Sequence, residues 1–190
     1  MKHGLIVALA VAMFGAWSSP AFAQLVDRAG VNLVEAPTVY TLTNLHPDEV
    51  RRRLYAVNFQ QPGLIPRCTA VRITRLRRSA MHFVVVEENR EYEYLNHDAA
   101  AEPFNDHLLR FFGSQCPSDD TGLNEADLAG IRRGTVSPGM TRRGVILAIG
   151  YPPRHVNPSI EFGDWTYWRH RFDRFIVRFD EKDLVVGIMN

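Results

Sequence analysis

The stretch that organises the C-terminal half of the chain is residues 137–153, which read SPGMTRRGVILAIGYPP. Thr141 can cap the N-terminus of a helix by accepting a hydrogen bond from a free backbone N–H. Gly150 can close that helix in the left-handed conformation, and the two prolines that follow prevent its continuation. Between these ends, an apolar stripe at helical spacing is formed by Val145, Ile146 and Ile149. None of these side chains is a nucleophile, proton carrier or metal ligand, so the stretch predicts architecture and binding.

Another helix is predicted before this one, and three strands after it. Asn124 can cap the earlier helix, acidic residues occupy its first turn, where the helix dipole favours them, and Gly134 ends it. The three predicted strands cover residues 165–169, 174–179 and 184–189. Alternation along the middle strand places one apolar set on a single face, which we expect to cover the helices: Phe175, Val177 and Phe179.

The first of these strands is aromatic on both faces. Trp165 and Tyr167 alternate onto one face, and Trp168 lies on the other. One face can pack on the helices, whereas the other is covered by the N-terminal half or is left exposed to a partner. Because Trp and Tyr often anchor protein interfaces, all three residues are candidate interface residues.

The N-terminal half has the patterns of a β-meander. Short alternating or apolar runs separated by turns predict three consecutive strands, at residues 69–76, 81–86 and 91–95. A further strand is predicted at 38–43 and a short helix at 103–113. Residues 50–59 fit both helical and strand periodicity, and we favour a strand in a hairpin because turn residues lie on both sides of it.

Taken together, the C-terminal half resembles the BamE/SmpA-like domain of bacterial envelope proteins, a fold also used in tandem by β-lactamase inhibitor proteins. The matching positions are Ile131, Gly134, Gly139-Met140-Thr141, Val145, Ile149-Gly150, Pro152, Trp165, Tyr167, Ile176-Val177 and Phe179. The resemblance implies two helices on one face of an antiparallel sheet, protein binding as the usual role, and no catalytic residues. The family's lipid-bearing Cys is absent, and Lys182-Asp183 stands where a Gly is common.

In the N-terminal half, Leu64-Ile65-Pro66 followed by Thr69-Ala70-Val71 is similar to the start of small Src-homology-3-like barrels, with Cys68 where such modules often have Gly. We therefore expect an α+β protein with two modules. The first is a small β-meander or barrel with a short C-terminal helix, over residues 24–117. The second is a helix-helix-strand-strand-strand domain, over residues 123–190.

Residues 1–23 read as a secretory signal peptide: Lys2 precedes an apolar run, and Ala21-Phe22-Ala23 resembles a cleavage site. Cleavage after Ala23 predicts a periplasmic protein. The mature chain would then begin with Gln24 rather than Cys, so we expect no lipid anchor at its N-terminus. The mature chain would lose one of the 22 Lys and Arg and keep all 21 Asp and Glu. A net charge near zero argues against nucleic acid as a partner, and no second apolar run approaches the length of a membrane span.

Both cysteines, Cys68 and Cys116, lie in the exported part, where a disulfide is the simplest expectation. The histidines lack the close spacing of a zinc site, and no nucleophile or phosphate-loop motif is present, so we expect no enzyme, metal or cofactor. The sequence therefore predicts a non-catalytic binding or scaffold protein that contacts another envelope protein, linked to outer-membrane assembly or maintenance. Two alternatives stay open: an inhibitor or regulator of an extracytoplasmic enzyme, and a hydrolase that uses His97 or His107 between the modules.

Overall fold

The computed structural model describes residues 24–117 and 119–190, so the predicted signal peptide lies outside the described residues. Within these ranges the protein is α+β, with a six-stranded sheet, a three-stranded sheet and three α-helices. The strands are β1 (Val39–Thr41), β2 (Arg53–Tyr55), β3 (Ala70–Leu76), β4 (Ala80–Val85), β5 (Arg90–Leu95), β6 (Phe112–Gly113), β7 (Trp165–His170), β8 (Asp173–Phe179) and β9 (Val185–Met189). The helices are α1 (Phe104–Phe111), α2 (Glu125–Arg133) and α3 (Arg142–Ile149). We call residues 24–117 the N-terminal part and residues 119–190 the C-terminal part.

The larger sheet has the strand order β2-β5-β4-β3-β1-β6 and belongs to the N-terminal part. Its centre is the predicted meander, since β3, β4 and β5 pair antiparallel in succession. The strand expected within residues 50–59 is present as β2 but has only three residues, and the expected hairpin is wrong because β2 pairs parallel with β5. Three residues after β2, the backbone of Asn58 has a φ of +50°. Asn tolerates this left-handed conformation better than most residues.

Helix α1 covers the larger sheet with the apolar stripe that the sequence predicted. Phe104, Leu108 and Phe111 are all buried. The rings of Phe104 and Phe111 pack near Tyr94 of β5, and the three stripe residues belong to the core of the N-terminal part. The predicted helix at 103–113 is thereby confirmed, although its last two residues form the edge strand β6.

The two helices of the C-terminal part share a buried carboxylate at their N-termini. The side chain of Asn124 caps α2 and that of Thr141 caps α3, as expected. Asp127, which is fully buried, accepts hydrogen bonds from the backbone N–H of Asn124 and from both the N–H and the hydroxyl of Thr141. One side chain therefore satisfies donors that both helix ends would otherwise leave free.

Helices α2 and α3 pack against one face of the antiparallel sheet β7-β8-β9. The predicted core residues of β8 lie on this face: Phe175, Val177 and Phe179. Trp165 and Tyr167 are fully buried there too, so neither presents surface to a partner in this structure. Of the three candidate interface residues, only Trp168 keeps part of its side chain exposed.

Polar side chains of the N-terminal part join the two parts by binding the carbonyl ends of the helices. The Asn44 amide donates to the Ile131 carbonyl (2.7 Å) and to the Ala148 carbonyl (3.1 Å). The Asn58 amide donates to the carbonyls of Ile149 (2.9 Å) and Tyr151 (2.8 Å). The last carbonyls of a helix lack partners within it, so these amides act as C-terminal caps. We refer to this row of contacts as the seam.

The predicted disulfide between Cys68 and Cys116 is present, with the two Cα atoms 4.9 Å apart. It ties the segment that leads into β3 to the segment that follows β6, inside the N-terminal part. Cys68 has a φ of +64°, the left-handed region that favours glycine. The position where Src-homology-3-like modules often carry Gly therefore has a glycine-like backbone here.

No helix in the described ranges is both long and apolar enough to cross a membrane.

Candidate functional site

An open cleft of about 480 Å³ lies where the seam reaches the surface, and both parts contribute to it. The N-terminal part supplies Tyr55, Val57, Phe59, His97 and Ala99, and the C-terminal part supplies His155, Trp168 and Arg171. Its walls are therefore mainly aromatic, with two imidazoles and one guanidinium. We call it the aromatic cleft.

Local backbone contacts hold the aromatic walls in position. The rings of Tyr55, at the end of β2, and Phe59 lie 5.4 Å apart and form the wall from the N-terminal part. On the opposite side, the ring of His155 stacks on Trp168 of β7, with 5.3 Å between ring centroids. The backbone N–H of Gln60 donates to the Trp168 carbonyl at 2.8 Å. This backbone hydrogen bond, next to the seam, joins the two walls of the cleft.

His97 and His155 bring titratable groups to the cleft from opposite parts. His97 caps a one-turn 3₁₀ helix (Asp98–Ala100), and its Nδ1 accepts a hydrogen bond from the N–H of Ala99 at 3.2 Å. Partial burial lowers the pKa of His155, and repulsion by His97 lowers it further. The lowered pKa favours the uncharged form of the His155 imidazole, and Arg171 is the guanidinium of the lining.

No protein-family model, curated protein or solved structure matches this chain. The assignment of a site therefore depends on the geometry of the chain itself.

A larger groove of about 820 Å³ lies between α3 and the β6 edge, and two of its arginines, Arg142 and Arg143, are bound to the fold. Arg142 donates to Asp183 at 2.8 Å and lies over the rings of Trp165 and Phe179. Arg143 donates to backbone carbonyls of the loop that precedes α2. Arg28 of this groove and Arg171 of the aromatic cleft both lack an ion-pair partner within residues 24–117 and 119–190, so the arginines do not distinguish the two sites. The paired aromatic walls, one from each part, favour the aromatic cleft as the binding site.

The two histidines of the hydrolase alternative lie in different environments. His107 is buried in the core of the N-terminal part, where its Nε2 accepts from the Tyr94 hydroxyl (2.9 Å) and its Nδ1–H donates to Glu102 (2.8 Å). These bonds use both ring nitrogens of the neutral form, and only 2% of the side chain is exposed. His97 is exposed in the aromatic cleft. The structure therefore does not bring the two histidines together in one site.

Glu102 is a buried carboxylate that also links the two parts. Its side chain is only 3% exposed and accepts a hydrogen bond from Arg110 in addition to the bond from His107. Arg154 of the C-terminal part lies 3.9 Å from its second oxygen. The hydrogen bond from His107 and these cations outweigh the burial and hold the pKa of Glu102 below its usual value. Among the described residues, no group of three or more His, Cys, Asp or Glu side chains could hold a metal ion.

Of the cleft residues, sequence reasoning identified Trp168 and noted His97. It missed His155 and Arg171, which lie in a loop and a turn without a motif, and it treated Tyr55 and Phe59 only as part of an ambiguous strand. The only sequence signal for them was the local density of aromatic residues, which is equally typical of a core.

The buried histidines predict that the fold loses stability in mild acid. Burial lowers the pKa of His46 and His107 below the ordinary value of 6.5, so the unfolded chain binds more protons as the pH falls. The contribution of these neutral imidazoles to the free energy of unfolding is fully present above about pH 6.5. It is lost as the pH falls from there through the folded-state pKa values. Urea unfolding should therefore give a lower free energy of unfolding at about pH 5.5 than at about pH 7.5.

The matched variant for this prediction is His107→Gln, which lacks one of these titrating groups. It should be less stable than the wild type at both pH values, yet show a smaller difference between them. Equal stability of the wild type at both pH values would contradict the neutral, buried state of these imidazoles.

Proposed function

We propose that the protein is a non-catalytic binding protein of the bacterial cell envelope, which holds an apolar segment of a partner protein in the aromatic cleft. The observation that carries the proposal is the cleft itself, in which Trp168 from the C-terminal part faces Tyr55 and Phe59 from the N-terminal part. Ligand sites in proteins are typically concave, largely apolar and provided with a few polar groups.

The chemistry of the walls supports binding. Large aromatic side chains and arginine supply most of the energy of protein interfaces, and all of these types line the cleft. The described lining contains two imidazoles but no carboxylate, thiol or hydroxyl nucleophile beside them, apart from the Tyr55 phenol. A general base without a nucleophile or an orienting acid has no clear catalytic use.

The envelope location is supported by the predicted signal peptide and by the disulfide, because such bonds persist in oxidising compartments. The order α2, α3, β7, β8, β9, with both helices on one face of an antiparallel sheet, supports the proposed BamE/SmpA-like character of residues 123–190. The six-stranded sheet supports a small β module over residues 24–117. Protein binding, with a role in outer-membrane assembly or maintenance, is what that resemblance implies.

The test compares partner capture from envelope extract by the wild type and by Trp168→Ala. The variant removes one wall of the cleft while the buried Trp165 keeps the sheet packed, so we expect at least one captured protein to fall about tenfold or more. Phe162→Ala is the matched control, since Phe162 is an exposed aromatic outside the cleft lining. Identical capture by the wild type and Trp168→Ala would refute the proposal. If the captured partner is an enzyme whose activity falls on binding, the protein is a regulator of that enzyme.

A further inference from the structure

We infer that the segment held in the aromatic cleft is a peptide that carries a carboxylate beside an aromatic or aliphatic side chain. This inference rests on the proposed binding function and adds the chemical class of the ligand. Its basis is that the lining of the cleft contains basic but no acidic side chains, together with the shape of its aromatic walls.

The described lining of the cleft contains three basic side chains, His97, His155 and Arg171, and no Asp or Glu. The guanidinium of Arg171 lies 5.2 Å from the ring centroid of its neighbour Phe172 and has no hydrogen bond or ion pair within the described part of the chain. An arginine with free donors matches a carboxylate, which can accept two of its N–H groups.

The neighbouring arginine, Arg169, is held by hydrogen bonds to other side chains at the same end of the sheet. Arg169 donates to Asp173 at 3.0 Å and to the side chain of Asn190 at 2.8 Å. Asp173 also lies 3.8 Å from His170. The acidic group of this turn is thus occupied by Arg169 and His170, and Arg171 is left to face the cleft.

The aromatic walls supply the apolar half of the site. The Tyr55–Phe59 pair and the His155–Trp168 stack border the same cleft, whose volume of about 480 Å³ is within the range for ligands of drug or short-peptide size. A short segment with one carboxylate and one or two apolar side chains satisfies both the charge and the surface of the cleft.

The His155 imidazole makes this recognition dependent on pH. In the unbound protein, burial and repulsion by His97 lower the pKa of His155, whereas a carboxylate in the cleft would favour its protonated form. Binding would then take up protons, so that affinity rises as the pH falls from about 8 to about 6, where carboxylates are still ionised.

The experiment uses an array of short random peptides, each carrying one Asp or Glu and spotted beside a twin with Asn or Gln at that position. The full mature protein is applied as the wild type, as Trp168→Ala and as Arg171→Gln. Arg132→Gln, an exposed arginine of α2 outside the cleft lining, is the matched charge control.

We expect peptides that require Trp168 to prefer the acidic form over the amide twin by about tenfold, the difference that one charge-assisted hydrogen bond supplies. That preference should disappear in Arg171→Gln, persist in Arg132→Gln and be larger at about pH 6 than at about pH 8.

Two results would overturn the inference, and they are distinguishable. Trp168-dependent peptides that bind equally as acid and amide would refute the carboxylate and leave the apolar binding function standing. An array on which no peptide distinguishes the wild type from Trp168→Ala would overturn both the inference and the proposed function.

Discussion

Replacing Gly144 by alanine should destabilise the protein by about 2–4 kcal/mol, although helix propensity alone predicts a gain of about 1 kcal/mol. Gly144 lies in the first turn of α3, and a β-carbon there would overlap the carboxylate of Asp127. Asp127 cannot move without releasing the N–H and hydroxyl of Thr141 and the N–H of Asn124. A buried donor that loses its acceptor costs about 1–3 kcal/mol, which outweighs the propensity term.

Urea unfolding of matched variants measures this effect. Gly187→Ala is the control, since Gly187 lies in β9 and a β-carbon there meets no atom within 4 Å. We expect it to be neutral or slightly stabilising, by less than about 1 kcal/mol. A Gly144→Ala variant as stable as the wild type would show that Asp127 does not occupy the space between the two helix ends.

Removing the disulfide should cost about 4 kcal/mol. Cys68 and Cys116 are 48 residues apart, and in the chain-entropy model a closed loop of that size removes about this much free energy from the unfolded state. The loop encloses all of β3, β4, β5 and α1, so its loss should lower the stability of the whole N-terminal part. Unfolding of Cys68→Ala/Cys116→Ala against the wild type, without reductant, gives the value.

A second pair of substitutions separates the bond from the backbone conformation at Cys68. Cys68→Gly/Cys116→Ala also lacks the bond, but glycine adopts the observed φ of +64° without strain. It should therefore be the more stable of the two double variants, by about 1 kcal/mol. The mass of the unreduced wild-type protein is the prior check: two free thiols would refute the bridge, and equal stability of the double variants would contradict the left-handed conformation.

The helices were predictable because their determinants are local. Asn124 and Thr141 cap helices within a few residues, and Gly134 and Gly150 end them. The alternation along β8 likewise identified its buried face. In each case the physical cause lies within one or two turns of chain, where a sequence pattern can record it.

The pairing of β2 and the seam were not predictable, because their causes are distant in sequence. Parallel pairing of β2 with β5 joins residues 40 apart, such as Arg53 and Glu93. The amide of Asn44 caps helices 87 and 104 residues further along the chain. Asn and Gln in loops usually bind their own turn or water, so nothing local marks Asn44 as a cap for a distant helix.

The candidate site was predictable only in part for the same reason. Trp168 was identified because it lies alone on the second face of an aromatic strand. The opposite wall, formed by Tyr55 and Phe59, comes from the segment whose strand geometry was ambiguous. Only the fold shows that these two sets of residues face each other across the seam.

The most direct test of the binding cleft is photo-crosslinking from inside it. p-Benzoylphenylalanine replaces Phe59 in the cleft wall, or Phe162 on the exposed loop outside it, in cells that produce the protein. A cleft that binds a partner predicts a discrete crosslinked adduct from position 59, absent from position 162 and lost when Trp168→Ala is added. No adduct from position 59, or the same adduct from both positions, would contradict the claim that the aromatic cleft is the binding site.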